Sequence, residues 1–206
     1  GIPSLLERSP LLHKLQEGVS GPLTLITAPA GYGKTTLIRQ WLASQPEAAA
    51  CMLALTERDR DQARFFGRLG ETLRSGVDGF DASAFTPFDA GNNENPSAIA
   101  DALRRGLGGV CEPMVLVIDD FQHLTGNTLI LETFNDLIQT QPRYLQLLIA
   151  SRSEPQLRLS HLRLQHQLTE LTREDLRFSA TETRRLCNAL DQPEVSQNTL
   201  DHLMQL

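Results

Sequence analysis

An apolar run, Leu23–Ala28, leads into the glycine-rich string Pro29-Ala-Gly-Tyr-Gly-Lys-Thr-Thr36, and a helical pattern then runs from Lys34 to about Ser44. No other stretch restricts the fold so strongly. Glycines at 31 and 33 give access to dihedrals that side chains exclude. A tight strand-to-helix turn can then aim several backbone N–H groups, with the positive end of the helix, at one small volume. The string matches the phosphate-loop pattern G-x-x-x-x-G-K-[ST], except that Ala28 stands where the first glycine belongs. That residue ends the strand, and alanine fits there if its φ is negative. The ligand implied is a nucleotide, ATP or ADP, with Mg2+. Its expected contacts are Ala30, Gly31, Tyr32, Gly33, Lys34, Thr35 and Thr36. Lys34 should bridge the β- and γ-phosphates, and Thr35 Oγ should bind Mg2+. Thr36 should reach the α-phosphate side, and Tyr32 either covers the phosphates or shields the turn.

About 85 residues beyond Lys34, the apolar strand Val115-Leu-Val-Ile-Asp-Asp120 ends in two carboxylates. Asp119 is expected to hold the Mg2+, partly through water, or to accept from Thr35. Asp120, beside it, can polarise an attacking water as general base. A further strand, Leu145–Ala150, is followed by Ser151 and Arg152. Inserted between the other two, it would bring Arg152 to the γ-phosphate as a sensor of its presence, because such sheets bind ligands beyond the carboxyl ends of their strands.

Apolar runs alternating with helical patterns predict an α/β domain. The expected fold is a P-loop NTPase of the additional-strand (ASCE) type, with a parallel five-stranded sheet in the order 5-1-4-3-2 and helices on both faces. Its strands are placed at Leu23–Ala28, Ala49–Leu55, Met114–Ile118, Leu145–Ala150 and Leu168–Leu171. Helices are expected at Gln62–Arg74, Ser97–Leu107 and Leu129–Gln139. Gly76–Asn95, polar and long for a connection, reads as a mobile surface insertion. From Ser179 the pattern is helical, opening on a Ser179-Ala-Thr-Glu182 capping box, and a second helix begins near Ser196. Residues 1–177 are therefore expected to form the nucleotide-binding domain, and residues 178–206 the start of a helical domain that continues beyond Leu206.

Nineteen Lys and Arg against 25 Asp and Glu leave a net charge of −6. That argues against a domain whose main task is to grip nucleic acid by its phosphates. Cys51, Cys111 and Cys187 are far apart and form no CxxC, as expected of buried free thiols in a reducing cytoplasm. The longest apolar run, Ala48–Leu55, is eight residues, too short to span a membrane. Gly1–Ser9 has no basic region followed by an apolar stretch, so no signal peptide is expected. Trp41 reads as core, the five histidines lack metal-ligand spacing, and Arg58, Arg60 and Arg64, interleaved with acids, read as a solvated face.

Together, Pro29-Ala-Gly-Tyr-Gly-Lys-Thr-Thr36, Gln40-Trp-Leu42, Ile118-Asp-Asp-Phe121 and Ala150-Ser-Arg152 resemble the MalT-type regulators. These are large ATP-binding transcription activators of the LuxR class within the STAND ATPases. Leu6-Glu-Arg-Ser-Pro-Leu-Leu12 is similar to the start of that family's domain, and the likeness implies that Arg8 lies near adenine and ribose. The resemblance covers about residues 5–190. It implies a weak regulatory ATPase whose nucleotide state governs conformation and ATP-dependent self-association, with inducer and DNA bound by other parts of the family's proteins. Two other functions fit a phosphate loop: a metabolic phosphotransferase, for which no Arg-rich lid is seen, and a nucleotide-binding module without turnover.

Overall fold

The computed structural model describes residues 8–45, 49–85, 95–179 and 182. Five strands, β1 (Leu23–Thr27), β2 (Ala49–Ala54), β3 (Met114–Asp119), β4 (Leu145–Ser151) and β5 (Leu168–Thr172), form one sheet. All pair in parallel, in the order β2-β3-β4-β1-β5. This is the expected order read from its other edge, and the strand ends differ from the expected ones by one residue. Central β3 is buried at all six positions, as a strand covered on both faces must be.

Among the described residues the α-helices are α1 (Ser9–Gly18), α2 (Lys34–Ser44), α3 (Gln62–Gly76), α4 (Pro96–Gly106), α5 (Thr128–Thr140), α6 (Ser160–Leu164) and α7 (Arg173–Leu176). Alternation along the strands sorts the core into two clusters. Leu116 and Ile118 of β3 face one side with Phe65, Phe66 and Leu69 of α3, Leu103 of α4 and Phe134 of α5. Val115 and Val117 face the other with Leu11 and Leu15 of α1 and Leu37, Ile38 and Trp41 of α2. Phe65, Phe121 and Phe134 meet edge to face with centroids 5.4 and 6.1 Å apart, pairs that contribute about 0.5–1.5 kcal/mol each beyond burial. Trp41 is core as expected, and its indole N–H donates to Gln16 Oε1 at 2.8 Å.

Three expectations are refined. The described part of the 76–95 stretch lies largely at the surface, as expected, but is anchored to the core at two points. Helix α3 continues to Gly76, Val77 is buried, and Phe80 lies so close to Gly106 that a Cβ there would meet its ring at 2.7 Å. Apolar Val77 and Phe80 anchor a segment whose polar composition concealed them; residues 86–94 lie outside the described residues. Cys51 is buried, and burial pushes its thiol up to about 12. Cys111, by contrast, is exposed, because it follows a surface turn after α4. In the stretch after β2, Arg58, Arg60 and Arg64 are exposed as expected, but the acid between the first two is not. Asp59 is fully buried and takes Arg68 at 2.6 Å and Arg64 at 3.3 Å. Cys187 and the second helix near Ser196 lie outside the described residues. The Ser179–Glu182 capping box is formed: Ser179 N–H donates to Glu182 Oε2 at 2.7 Å, and Glu182 N–H to Ser179 Oγ at 3.2 Å.

Candidate functional site

The carboxyl ends of β3, β4 and β1 stand side by side, because β4 lies between the other two. The phosphate loop leaves β1 there. Gly31 and Gly33 have φ of 88° and 78°. A Cβ at either would meet nothing within 4 Å, so conformation, not space, requires glycine. The open volume before this backbone is what a phosphate would occupy. Ala28 is buried and outside the left-handed region, so alanine serves at the first loop position. Gly33 starts α2 without a side-chain cap, and the first turn of α2 holds no acidic residue. The N–H groups and the positive end of the helix there are left uncompensated by the chain.

Lys34 is 7% exposed. Its Nζ donates to the carbonyls of Ala28 at 2.6 Å and Pro29 at 2.9 Å. Burial pulls its pKa below the ordinary lysine value; the Asp120 and then the Asp119 carboxylates oppose that, and Arg152 adds to it. A phosphate would supply the missing counter-charge. Tyr32 packs against the α1–α2 side of the core.

Thr35 Oγ1 donates to Asp119 Oδ2 at 2.6 Å, and the Asp120 N–H donates to Asp119 Oδ1 at 2.9 Å. Asp119 is 2% exposed. The next residue turns: Asp120 has φ 58° and ψ 40°, left-handed backbone that carries its carboxylate out of the strand. Such conformations concentrate at functional sites. Asp120 Oδ1 lies 4.0 Å from Arg152 Nε, and the Arg152 side chain is about half exposed. The structure thus brings Lys34, Thr35, Asp119, Asp120 and Arg152 to one place from three strand ends.

Thr27 and Ser151, register partners at the ends of β1 and β4, bury hydroxyls that have no hydrogen-bond partner among the described residues. A cleft of about 370 Å3 opens beside Thr27, lined also by Pro29, Arg152, Glu154, Glu170 and Arg173 among others. Glycine cradle, under-compensated lysine and orphaned hydroxyls all fit a polyphosphate with a divalent cation. Among the described residues, no three or more His, Cys, Asp or Glu gather as a metal cage. A cation held by Thr35 and Asp119 would therefore share its shell with phosphate oxygens. A larger cleft, about 740 Å3, lies against Arg60, Pro96 and Asn127 and holds none of these groups.

Arg8 is buried at the seam between α1 and the passage after β5. Its Nη1 and Nη2 donate to the carbonyls of Leu176 and Arg177 at 2.7 and 2.8 Å, and its Nε to Glu182 Oε1 at 2.9 Å. The Phe178 ring stacks on it. Lys14 binds Asp175 across the same seam at 2.7 Å. No local pattern marks these partners, nor Gln122, whose amide Nε2 donates to Asp120 Oδ1 at 2.8 Å.

This sheet order, phosphate loop and acidic strand end define a P-loop NTPase fold. Residues 19–159 match the model of the AAA domain family, and the chain belongs to that family. It is 36% identical over 187 residues to the HTH-type transcriptional regulator MalT of Cronobacter sakazakii (strain ATCC BAA-894), a match covering 90% of this chain and 20% of that protein. The chain therefore spans about one fifth of the length of that relative, and the resemblance to MalT-type regulators is borne out. The fold is also similar to that of the Aeropyrum pernix ORC1 protein in complex with DNA. There the TM-score is 0.52 at 18% identity, over 87% of this chain and 47% of that one. Drosophila ORC bound to AT-rich DNA and Cdc6 gives a TM-score of 0.52 at 13% identity, over 81% and 53%. At these identities the likeness is one of fold alone.

Proposed function

We propose that this domain is an ATP- and ADP-binding switch that slowly hydrolyses ATP within a MalT-like, LuxR-class STAND regulator. The observation that carries the reading is the convergence of Lys34, Thr35, Asp119, Asp120 and Arg152 at adjacent strand ends. Backbone N–H groups 31–36 and Lys34 hold the phosphates. Thr35 and Asp119 would hold Mg2+, which would neutralise phosphate charge. Asp120 takes a proton from water as its oxygen attacks the γ-phosphorus; the bond to the β-phosphate oxygen breaks, leaving ADP and inorganic phosphate. Arg152 reaches the γ-phosphate and so interacts with one nucleotide state only, the differential affinity a switch requires. Arg8 and Lys14 contribute by clamping α1 to the passage that leads into residues 178–206, read as the start of a helical domain.

In the longer regulator, inducer and DNA engage other domains, and nucleotide state governs self-association in the cytoplasm. The described residues include no helix long and apolar enough to cross a membrane. The test is calorimetric titration with ATP and ADP with and without Mg2+, followed by turnover assays with ATP alone and with phosphate acceptors. Binding with slow, acceptor-independent hydrolysis is the expected outcome. Acceptor-dependent transfer would mark a phosphotransferase, and binding with no turnover a passive module.

A further inference from the structure

The structure assigns Gln122 as a positioning residue that joins the hydrolytic carboxylate to the γ-phosphate sensor; the assignment rests on the reading just given for Asp120 and Arg152. Gln122 lies two residues beyond Asp120, in the short 3-10 turn Phe121–Leu124. Its Nε2 donates to Asp120 Oδ1 at 2.8 Å, and its Oε1 accepts from the Arg152 backbone N–H at 3.0 Å. The chemistry allows only this orientation. An ionised carboxylate can only accept and a backbone N–H can only donate, so the amide must present nitrogen to one and oxygen to the other.

One side chain therefore spans the loops that leave β3 and β4. A second glutamine repeats the link in reverse: Gln156, beyond β4, accepts from the Gly126 N–H at 3.2 Å. The β3 loop is also held from its far side, where Arg60 Nε donates to the His123 carbonyl at 3.3 Å and Asn127 Nδ2 to the Arg60 carbonyl at 2.9 Å. Within this frame Asp120 depends on Gln122 for its orientation. Its left-handed backbone aims the carboxylate outward, and the Gln122 amide and Arg152 guanidinium are the groups that meet Oδ1. When Arg152 turns to a γ-phosphate, the Gln122 amide is what keeps Asp120 oriented.

Two variants separate this role from a structural one. Gln122→Glu keeps an oxygen toward the Arg152 N–H but sets a carboxylate against Asp120. Gln122→Ala removes both contacts. Both should lower kcat about tenfold or more, with KM for ATP within about threefold. The ratio of ATP to ADP affinity, read by calorimetry, should fall about threefold or more in Gln122→Ala and stay near wild type in Gln122→Glu. The ratio is readable even if turnover is below detection. Variants that alter the ratio alike, or leave it alike unaltered, overturn the assignment. Asp120→Asn and Arg152→Ala are assayed beside them. If Asp120→Asn retains turnover, or Arg152→Ala leaves the ratio unchanged, the underlying reading has failed, and that failure is distinct from one confined to the Gln122 variants.

Discussion

Thr35 Oγ1 and Asp119 Oδ2 lie 2.6 Å apart across 84 positions of chain, one opening α2 and the other closing β3. A buried carboxylate that accepts from this hydroxyl and from the Asp120 N–H has its oxygens fixed before any cation arrives. Asp119→Asn keeps the shape and removes the charge. ATP affinity without Mg2+ should stay near wild type, while the gain on adding Mg2+ shrinks about threefold or more. Calorimetry at two Mg2+ concentrations measures both. An undiminished gain would place the cation elsewhere.

Lys34→Ala should weaken ATP and ADP alike by about tenfold or more, the loss of a charge-assisted contact to phosphate. The same variant should melt close to wild type without nucleotide, because relief of the buried ammonium offsets the two hydrogen bonds it gives to the Ala28 and Pro29 carbonyls. A stability loss with unchanged binding would make this lysine structural.

For Asp120, Asn is the informative replacement, since it tolerates left-handed backbone almost as readily. Nucleotide affinity should remain within about threefold while turnover falls about a hundredfold. Steady-state phosphate release gives the second quantity. Retained turnover would assign the base to another group.

Arg152→Ala should lower ATP affinity about tenfold and leave ADP within about twofold, because only ATP offers the γ-phosphate. Equal losses would mean that Arg152 holds the β-phosphate or the fold. Competition titrations against a fluorescent ADP analogue would distinguish these cases.

Asp59 carries a prediction about stability. Burial alone would raise its pKa, but hydrogen bonds from Arg68 and Thr56 outweigh that and hold it below the ordinary carboxylate range. A carboxylate so depressed adds stability above its unfolded pKa of about 4, and that stability is lost as pH falls through the lower folded value. Asp59→Asn should cost roughly 3 kcal/mol near neutral pH, and the gap to wild type should close in acid. Denaturant melts across that range test it; a gap independent of pH would mean that Asp59 acts by shape alone.

The sequence by itself determined the α/β class, the positions of the strands and the phosphate-loop chemistry; the strand order was implied only by the fold to which that loop belongs. Apolar alternation and glycine placement are local, and they report burial and backbone conformation residue by residue. It also marked Asp119, Asp120 and Arg152, because strands in a parallel sheet end at one edge and these residues follow strand ends. Only the tertiary structure decided how those groups work together. Adjacent and chemically identical, Asp119 and Asp120 part because one ends a strand under Thr35 and the other turns into left-handed backbone. Gln122 meets Arg152, and Arg8 meets Leu176, across 30 and 168 positions. Asp59 was hidden in a run of charges that looked solvated, yet Arg68 and Arg64 enclose it. Contacts of this kind depend on which distant loops the strand order sets side by side, and no periodicity records that, because a polar side chain reads alike whether it faces water or a buried partner.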